Sequence, residues 1–249
     1  MKEEKQRKPI IEVRDVKKNF FLPHEKHDTL VEYLSHPSRI FKKAGEQYEV
    51  LKDVDAKIYP GEFVGIMGRN GSGKSTLLKI LAGIYLPTSG EVVVRGKLVP
   101  FLELGVGFNP ELSGKENVFL NGMILGMKKN ELKEKYKEIV EFSELEKFME
   151  APLKNYSSGM QVRLAFSIAI MSDADVYLLD EVLAVGDVAF QEKCFNVFRQ
   201  YKKDGKTVVL VTHSPGSVKD YCDRALFLKD GVLQDLGSVD NVIQAYING

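Results

Sequence analysis

The stretch GRNGSGKST, Gly68–Thr76, follows the apolar run FVGIM and leads into LLKILAG. It fits the pattern G-x-x-x-x-G-K-[ST], with Gly68, Gly73, Lys74 and Ser75 on the fixed positions. An apolar run over 63–67 that ends in glycines predicts a buried strand entering a tight turn. The residues from Lys74 onward predict a helix with Leu77, Leu78, Ile80 and Leu81 facing a core. In such a turn the backbone N–H groups of Gly68, Arg69, Asn70, Gly71, Ser72 and Gly73 point inward, and the helix start adds partial positive charge for phosphates. Lys74 can then reach the β and γ oxygens of a nucleotide, while the hydroxyl of Ser75, followed by Thr76, can ligate Mg²⁺.

Working outward, VYLLDE at 176–181 is an apolar strand that ends in two carboxylates. Its chain position predicts that Asp180 holds Mg²⁺, directly or through water, and that Glu181 orients and deprotonates an attacking water. VVLVTH at 208–213 is a further core strand, and His213 at its end is expected to touch the γ-phosphate and connect it to Glu181. His24, His27 and His36 have no such setting and read as surface residues.

Strands are expected at 10–16, 91–95, 97–102, 175–179 and 207–212, with helices at 158–171, 188–203 and 239–247. A hairpin is expected from 225–228 and 232–236 around Asp230-Gly231. Val- and Leu-rich strands alternating with helices predict a largely parallel sheet covered on both faces. Charged helices at 115–126, 130–141 and 143–150 predict a helical unit inserted into that α/β core. Residues 20–50 read as a further insertion of about two helical pieces, interrupted by Pro37. That segment is either a plain surface insertion or a docking surface.

The 249 residues suffice for one large or two small domains, and 35 basic against 35 acidic residues force no nucleic-acid surface. Nucleic acid is therefore not among the expected partners. Cys194 and Cys222 form no metal-binding spacing and read as buried small hydrophobes in a reducing compartment. The start, MKEEKQRKPIIEV, lacks the apolar core of a secretion signal, and no uncharged apolar run approaches a membrane span. The chain is expected to be soluble unless something else holds it at a membrane.

YSSGMQVR, Tyr156–Arg163, resembles the LSGGQ signature of ATP-binding-cassette (ABC) ATPases, retaining Ser157 and Gly159 and differing at Ser158 and Met160. A hydroxyl, a bare backbone and a helix start suit an anion; the resemblance implies that this anion is the γ-phosphate of ATP held by a second, head-to-tail copy. The order of phosphate loop, helical insertion, signature, DE strand and histidine agrees with the family over nearly the whole chain. LAVGD at 183–187 stands where the family has its dimer-contact loop, with Asp187 as the contact residue.

The resemblance implies an α/β fold: a P-loop NTPase core of the ABC ATPase type with an antiparallel β subdomain and an inserted α-helical subdomain. Residues 1–249 would form one ATPase domain, including the helical insertion at 20–50 and a helical subdomain at 110–157. An aromatic should stack on adenine, with Phe20 the first choice and Tyr48 the second. FLELGVGFNPELSGKENVFLNG, Phe101–Gly122, carries Glu103 where many members have a glutamine. Glu103 would ligate Mg²⁺, face the membrane partner, or face the signature of the opposing copy.

These blocks together resemble the ATPase of bacterial exporters of lipid-linked polysaccharides such as O-antigen or teichoic acid. That subfamily implies a peripheral homodimer at the cytoplasmic face of the inner membrane, joined to two copies of a polytopic transport subunit. Some members continue into a carbohydrate-binding domain about where QAYING, 244–249, stands here. The rival readings are the ATPase of another importer or exporter and a soluble ATP switch unconnected to transport. DNA-repair switches insert long coiled coils and translation switches fuse two cassettes; neither pattern occurs here.

Overall fold

Five strands with apolar middles lie side by side in parallel, because both their faces are covered. The computed structural model describes residues 7–23, 45–102, 104–180 and 187–248. In chain order these carry β1 (Ile11–Pro23), β2 (Gly45–Ile58), β3 (Phe63–Met67), α1 (Lys74–Leu81), β4 (Ser89–Val94) and β5 (Leu98–Pro100). The helices α2 (Gly114–Ile124), α3 (Lys129–Ser143) and α4 (Ser158–Met171) follow. The chain returns through β6 (Val176–Asp180), α5 (Val188–Lys203), β7 (Thr207–Thr212), α6 (Pro215–Tyr221), β8 (Arg224–Lys229), β9 (Val232–Gln234) and α7 (Val239–Asn248).

The larger sheet has the order β5-β6-β7-β3-β8-β9, parallel except for the final antiparallel hairpin. Alternation along each strand sends its side chains into two cores. Phe63, Tyr177, Leu179, Val208, Leu210 and Phe227 pack on one face with Phe166, Phe190 and Phe198 of the following helices. Val64, Ile66, Leu178, Val209, Val211 and Leu226 pack on the other with Leu77 and Leu78 of α1 and with β1 and β2. Each such fully buried side chain stabilises the fold by about 1.5–3 kcal/mol. Asp230 and Gly231, with φ of 50° and 82°, turn the β8–β9 hairpin as expected.

A second sheet, β2-β1-β4, is antiparallel and three-stranded. Here the structure departs from the sequence expectation. Residues 20–23 and 45–50, assigned to a helical insertion, are the ends of long paired strands; residues 24–44 of that insertion lie outside the described residues. Ile11 and Val13 keep the period of two, but beyond them the buried residues Val16, then Leu51, Val54 and Ile58, follow at spacings of three and four. Bulges cause that spacing: register shifts interrupt the pairing, and Asp15 and Asp53 take φ of 46° and 47°. The inserted residues hide the period-two signal of a strand.

Helices α2, α3 and α4 surround a third core of Val118, Leu132, Ile139, Leu145, Tyr156, Leu164 and Ile168. The helix expected at 143–150 is instead a short 3₁₀ turn, Glu146–Phe148. It fails because Glu144, at φ 59°, closes α3 in the left-handed conformation. Helix α6 is an unanticipated single short element, started by Ser214 with Pro215 at its first position. Cys194 and Cys222 are both buried, and burial pushes each thiol up to about 12.

Candidate functional site

The phosphate loop follows β3 and is folded by contacts its glycines alone permit. A Cβ on Gly68 would stand 2.3 Å from the Leu228 carbonyl oxygen and 2.5 Å from Ser72 Oγ. Gly71 and Gly73 take φ of 83° and 105°, the left-handed region that favours glycine. The Gly231 N–H donates to the Ser72 carbonyl at 3.2 Å, so the β8–β9 hairpin buttresses the loop from behind. Gly73 caps α1 with no side-chain bond, and no acidic residue occupies the first turn, which leaves the helix start suited to an anion.

Lys74 is only 7% exposed, and its ammonium donates to the carbonyls of Gly68 at 2.7 Å and Arg69 at 3.0 Å. It is thus held against the loop in a position to exchange those bonds for phosphate oxygens. A cleft of about 600 Å³ opens here, lined by Tyr48, Val50, Asn70, Gly71, Gly73, Lys74, Ser75, Thr76 and Asp180. Parallel pairing explains how Asp180 arrives. It ends β6 opposite Val211, while Thr212 stands opposite Met67, so the ends of β6, β7 and β3 share one sheet edge. Gly68 and His213 both leave from that edge, and His213 is exposed.

Ser75 and Asp180 present a hydroxyl and a carboxylate to one cleft, a hard oxygen set that fits Mg²⁺. The described residues contain no cluster of three or more His, Cys, Asp or Glu side chains able to hold a metal by themselves. Glu103 and Glu181, with residues 182–186, lie outside the described residues.

Of the two adenine candidates, Tyr48 lines the cleft and is 54% exposed. Phe20 stands opposite Tyr48 on β1, lies edge-on to Tyr85 at 5.8 Å between centroids, and has the Lys18 ammonium 5.0 Å from its ring. It is not among the lining residues. Val50, which the sequence reading missed, joins Tyr48 there; its position two residues along the same strand was the available signal.

The signature stands apart from this cleft. Ser157 caps α4, accepting from the Met160 N–H at 3.2 Å, and Ser157, Ser158 and Gly159 are all exposed. Tyr156 anchors the turn by donating to the Phe148 carbonyl at 2.7 Å, and burial raises its hydroxyl to about 12. Asp187 lies elsewhere again, as the cap of α5. It accepts from the Phe190 N–H at 2.9 Å and pairs with Arg163 at 2.5 Å. The Phe190 N–H and then the Arg163 charge hold its carboxyl below the usual range. The motif at 156–163 gives no local sign of this role for Arg163, because its partner Asp187 is 24 residues away in the chain.

A family model described as ABC transporter matches residues 51–184. The O-antigen export system ATP-binding protein RfbB of Klebsiella pneumoniae is 39% identical over 239 residues, covering 96% of this chain and 97% of that protein. The teichoic acids export ATP-binding protein TagH of Listeria innocua is 41% identical over 201 residues, covering 81% of this chain and 60% of that protein. Among solved structures, the dimeric ATP-binding cassette MJ0796, in a post-hydrolysis state with ADP and Pi, matches with a TM-score of 0.68. It is 27% identical, over 91% of this chain and 98% of that one.

Proposed function

Since this chain belongs to the ABC transporter family, we propose that it is the ATP-hydrolysing subunit of an exporter for a lipid-linked polysaccharide of the O-antigen or teichoic-acid class. The observation that carries the chemistry is the cleft that gathers the phosphate loop, Ser75, Asp180 and Tyr48. Likeness to RfbB along 96% of the chain supports the substrate class.

In this reading the loop amides and the start of α1 bind the phosphates, Tyr48 stacks on adenine, and Lys74 shifts its bonds from the loop carbonyls to the β and γ oxygens. Mg²⁺, held through Ser75 and Asp180, neutralises phosphate charge when bound. Glu181 takes the proton of the attacking water, and His213, leaving the same sheet edge as Gly68, contacts the γ-phosphate.

Ser157 and Gly159 are exposed and face no part of their own chain's cleft, so they serve the ATP of a second copy in a head-to-tail homodimer. MJ0796 forms a dimer, which supports that arrangement. Residues 1–249 act as one ATPase unit in which the helical subdomain of 110–157 moves on closure. Glu103 and the segment after it, with the exposed Val106, Met123 and Ile124, meet the membrane subunits, two per dimer. The subunit is peripheral, at the cytoplasmic face of the inner membrane; no helix among the described residues is long and apolar enough to cross a membrane.

Reconstitution of the chain with its membrane subunits and undecaprenyl-linked glycans tests the reading. ATP-dependent movement of glycan across the vesicle wall is the expected result. Steady ATP turnover with no movement of any such glycan would remove the polysaccharide assignment and leave the ATPase.

A further inference from the structure

Where α3, α4 and α5 meet, outside the nucleotide cleft, Glu144, Arg163, Asp187 and Lys193 form one connected set of charges. The Glu144 carboxylate accepts from Arg163 at 3.1 Å through one oxygen and from Lys193 at 2.7 Å through the other. Arg163 carries on to Asp187 with its second terminal nitrogen, so one guanidinium joins the end of α3 to the cap of α5. Its side chain is 17% exposed and lies over Phe190 at 4.8 Å, while Lys193 lies 5.1 Å from the Phe142 ring and also donates to the Phe142 carbonyl at 3.2 Å. Phe142 and Phe190 meet edge-to-face at 5.6 Å beneath these charges.

The backbone supplies a second, independent observation. Glu144 occupies the left-handed region, φ 59° and ψ 35°, at a helix end where glycine or asparagine is the unstrained choice. The residue there carries a side chain against its backbone preference, and that side chain spans two other helices. Strain held at one position by surrounding contacts points to a role for the side chain it preserves.

We propose that Glu144 is a positioning residue for ATP hydrolysis: its carboxylate, clamped between Arg163 and Lys193, ties the helical subdomain to Asp187 and so fixes the α5 start that follows the Asp180 strand. This rests on the ATPase reading above. When the helical subdomain shifts, α3 carries Glu144, and the charge chain passes the shift to the start of α5. Neither Glu144 nor Lys193 touches nucleotide in this scheme.

The test is steady-state ATP turnover by the full chain bearing Glu144→Gly, Glu144→Gln or Lys193→Met, alongside the turnover-deficient control Ser157→Arg. Glycine suits the left-handed backbone, so E144G is expected to keep the parent's melting temperature and its KM for ATP within about 2-fold, while kcat falls about 10-fold. E144Q should fall in the same direction, and E144G combined with K193M should lose no more than E144G alone, because both break one link. Should E144G fail to fold, the kcat against KM split in E144Q carries the same test. A kcat within about 2-fold of the parent in E144G, or a loss confined to KM, overturns the proposal. If S157R is inactive while E144G turns over normally, this proposal alone fails; if the parent or S157R shows the ATPase reading to be wrong, both fail.

Discussion

Two glycine-bearing anion loops invite comparison, the phosphate loop at 68–76 and the signature turn at 157–159. In the first, the chain itself demands glycine: a Cβ on Gly68 would meet the Leu228 carbonyl at 2.3 Å, and Lys74 is almost wholly buried. In the second, nothing in the chain demands it: a Cβ on Gly159 would come no closer than 3.9 Å to any neighbour, Ser157 Oγ, and the turn is exposed. One half of the proposed site is complete within the fold. The other lies open to solvent, where the proposed second copy would meet it.

The sharpest way to break this comparison is Ser157→Arg. It should reduce ATP turnover to background while equilibrium binding of nucleotide to the isolated chain stays unchanged; turnover at the parent rate would mean the signature covers no nucleotide. Next in size, Glu181→Gln should preserve nucleotide binding and slow hydrolysis by about 10²–10⁴-fold, measured as phosphate release. A paired substitution separates the two loops directly. Gly68→Ala should destabilise the fold by about 1–3 kcal/mol through overpacking against backbone, and Gly159→Ala should leave stability within about 0.5 kcal/mol, both read from denaturant unfolding. Equal losses from the two would erase the distinction. Smallest of all, Tyr48→Ala should weaken nucleotide binding by about 0.5–1.5 kcal/mol with Phe20→Ala nearly silent, as titrated by fluorescence or calorimetry. The reverse order would place adenine on β1.

The same contrast explains what could be read without coordinates. The loop, the strands over 63–67 and 207–212 and the helices over 158–171 and 188–203 agree with the observed elements because each is built from local signals: apolar runs, a capping serine and a capping aspartate. Strands of the antiparallel sheet were legible at 10–16 and 91–95, but its extension into both edges of 20–50 did not announce itself. Its bulges at Asp15 and Asp53 shift the buried residues to helix-like spacing, and its stability comes from pairing across a long sequence separation. The helix expected at 143–150 was lost to one left-handed residue, Glu144, whose place is set by Arg163 and Lys193 on two other helices.

The sequence by itself determined the chemistry: a phosphate loop, a carboxylate strand end and a signature turn, each of which works through neighbours in the chain and so is written in consecutive residues. Only the tertiary structure decided which groups share a cleft. Parallel pairing of β3, β6 and β7 brings Asp180 to Lys74 and Ser75, and the approach of β2 makes Tyr48 and Val50 line the cleft while Phe20 contacts Tyr85. It also left the signature facing outward, because burial is a property of the packed molecule and not of any single stretch of chain.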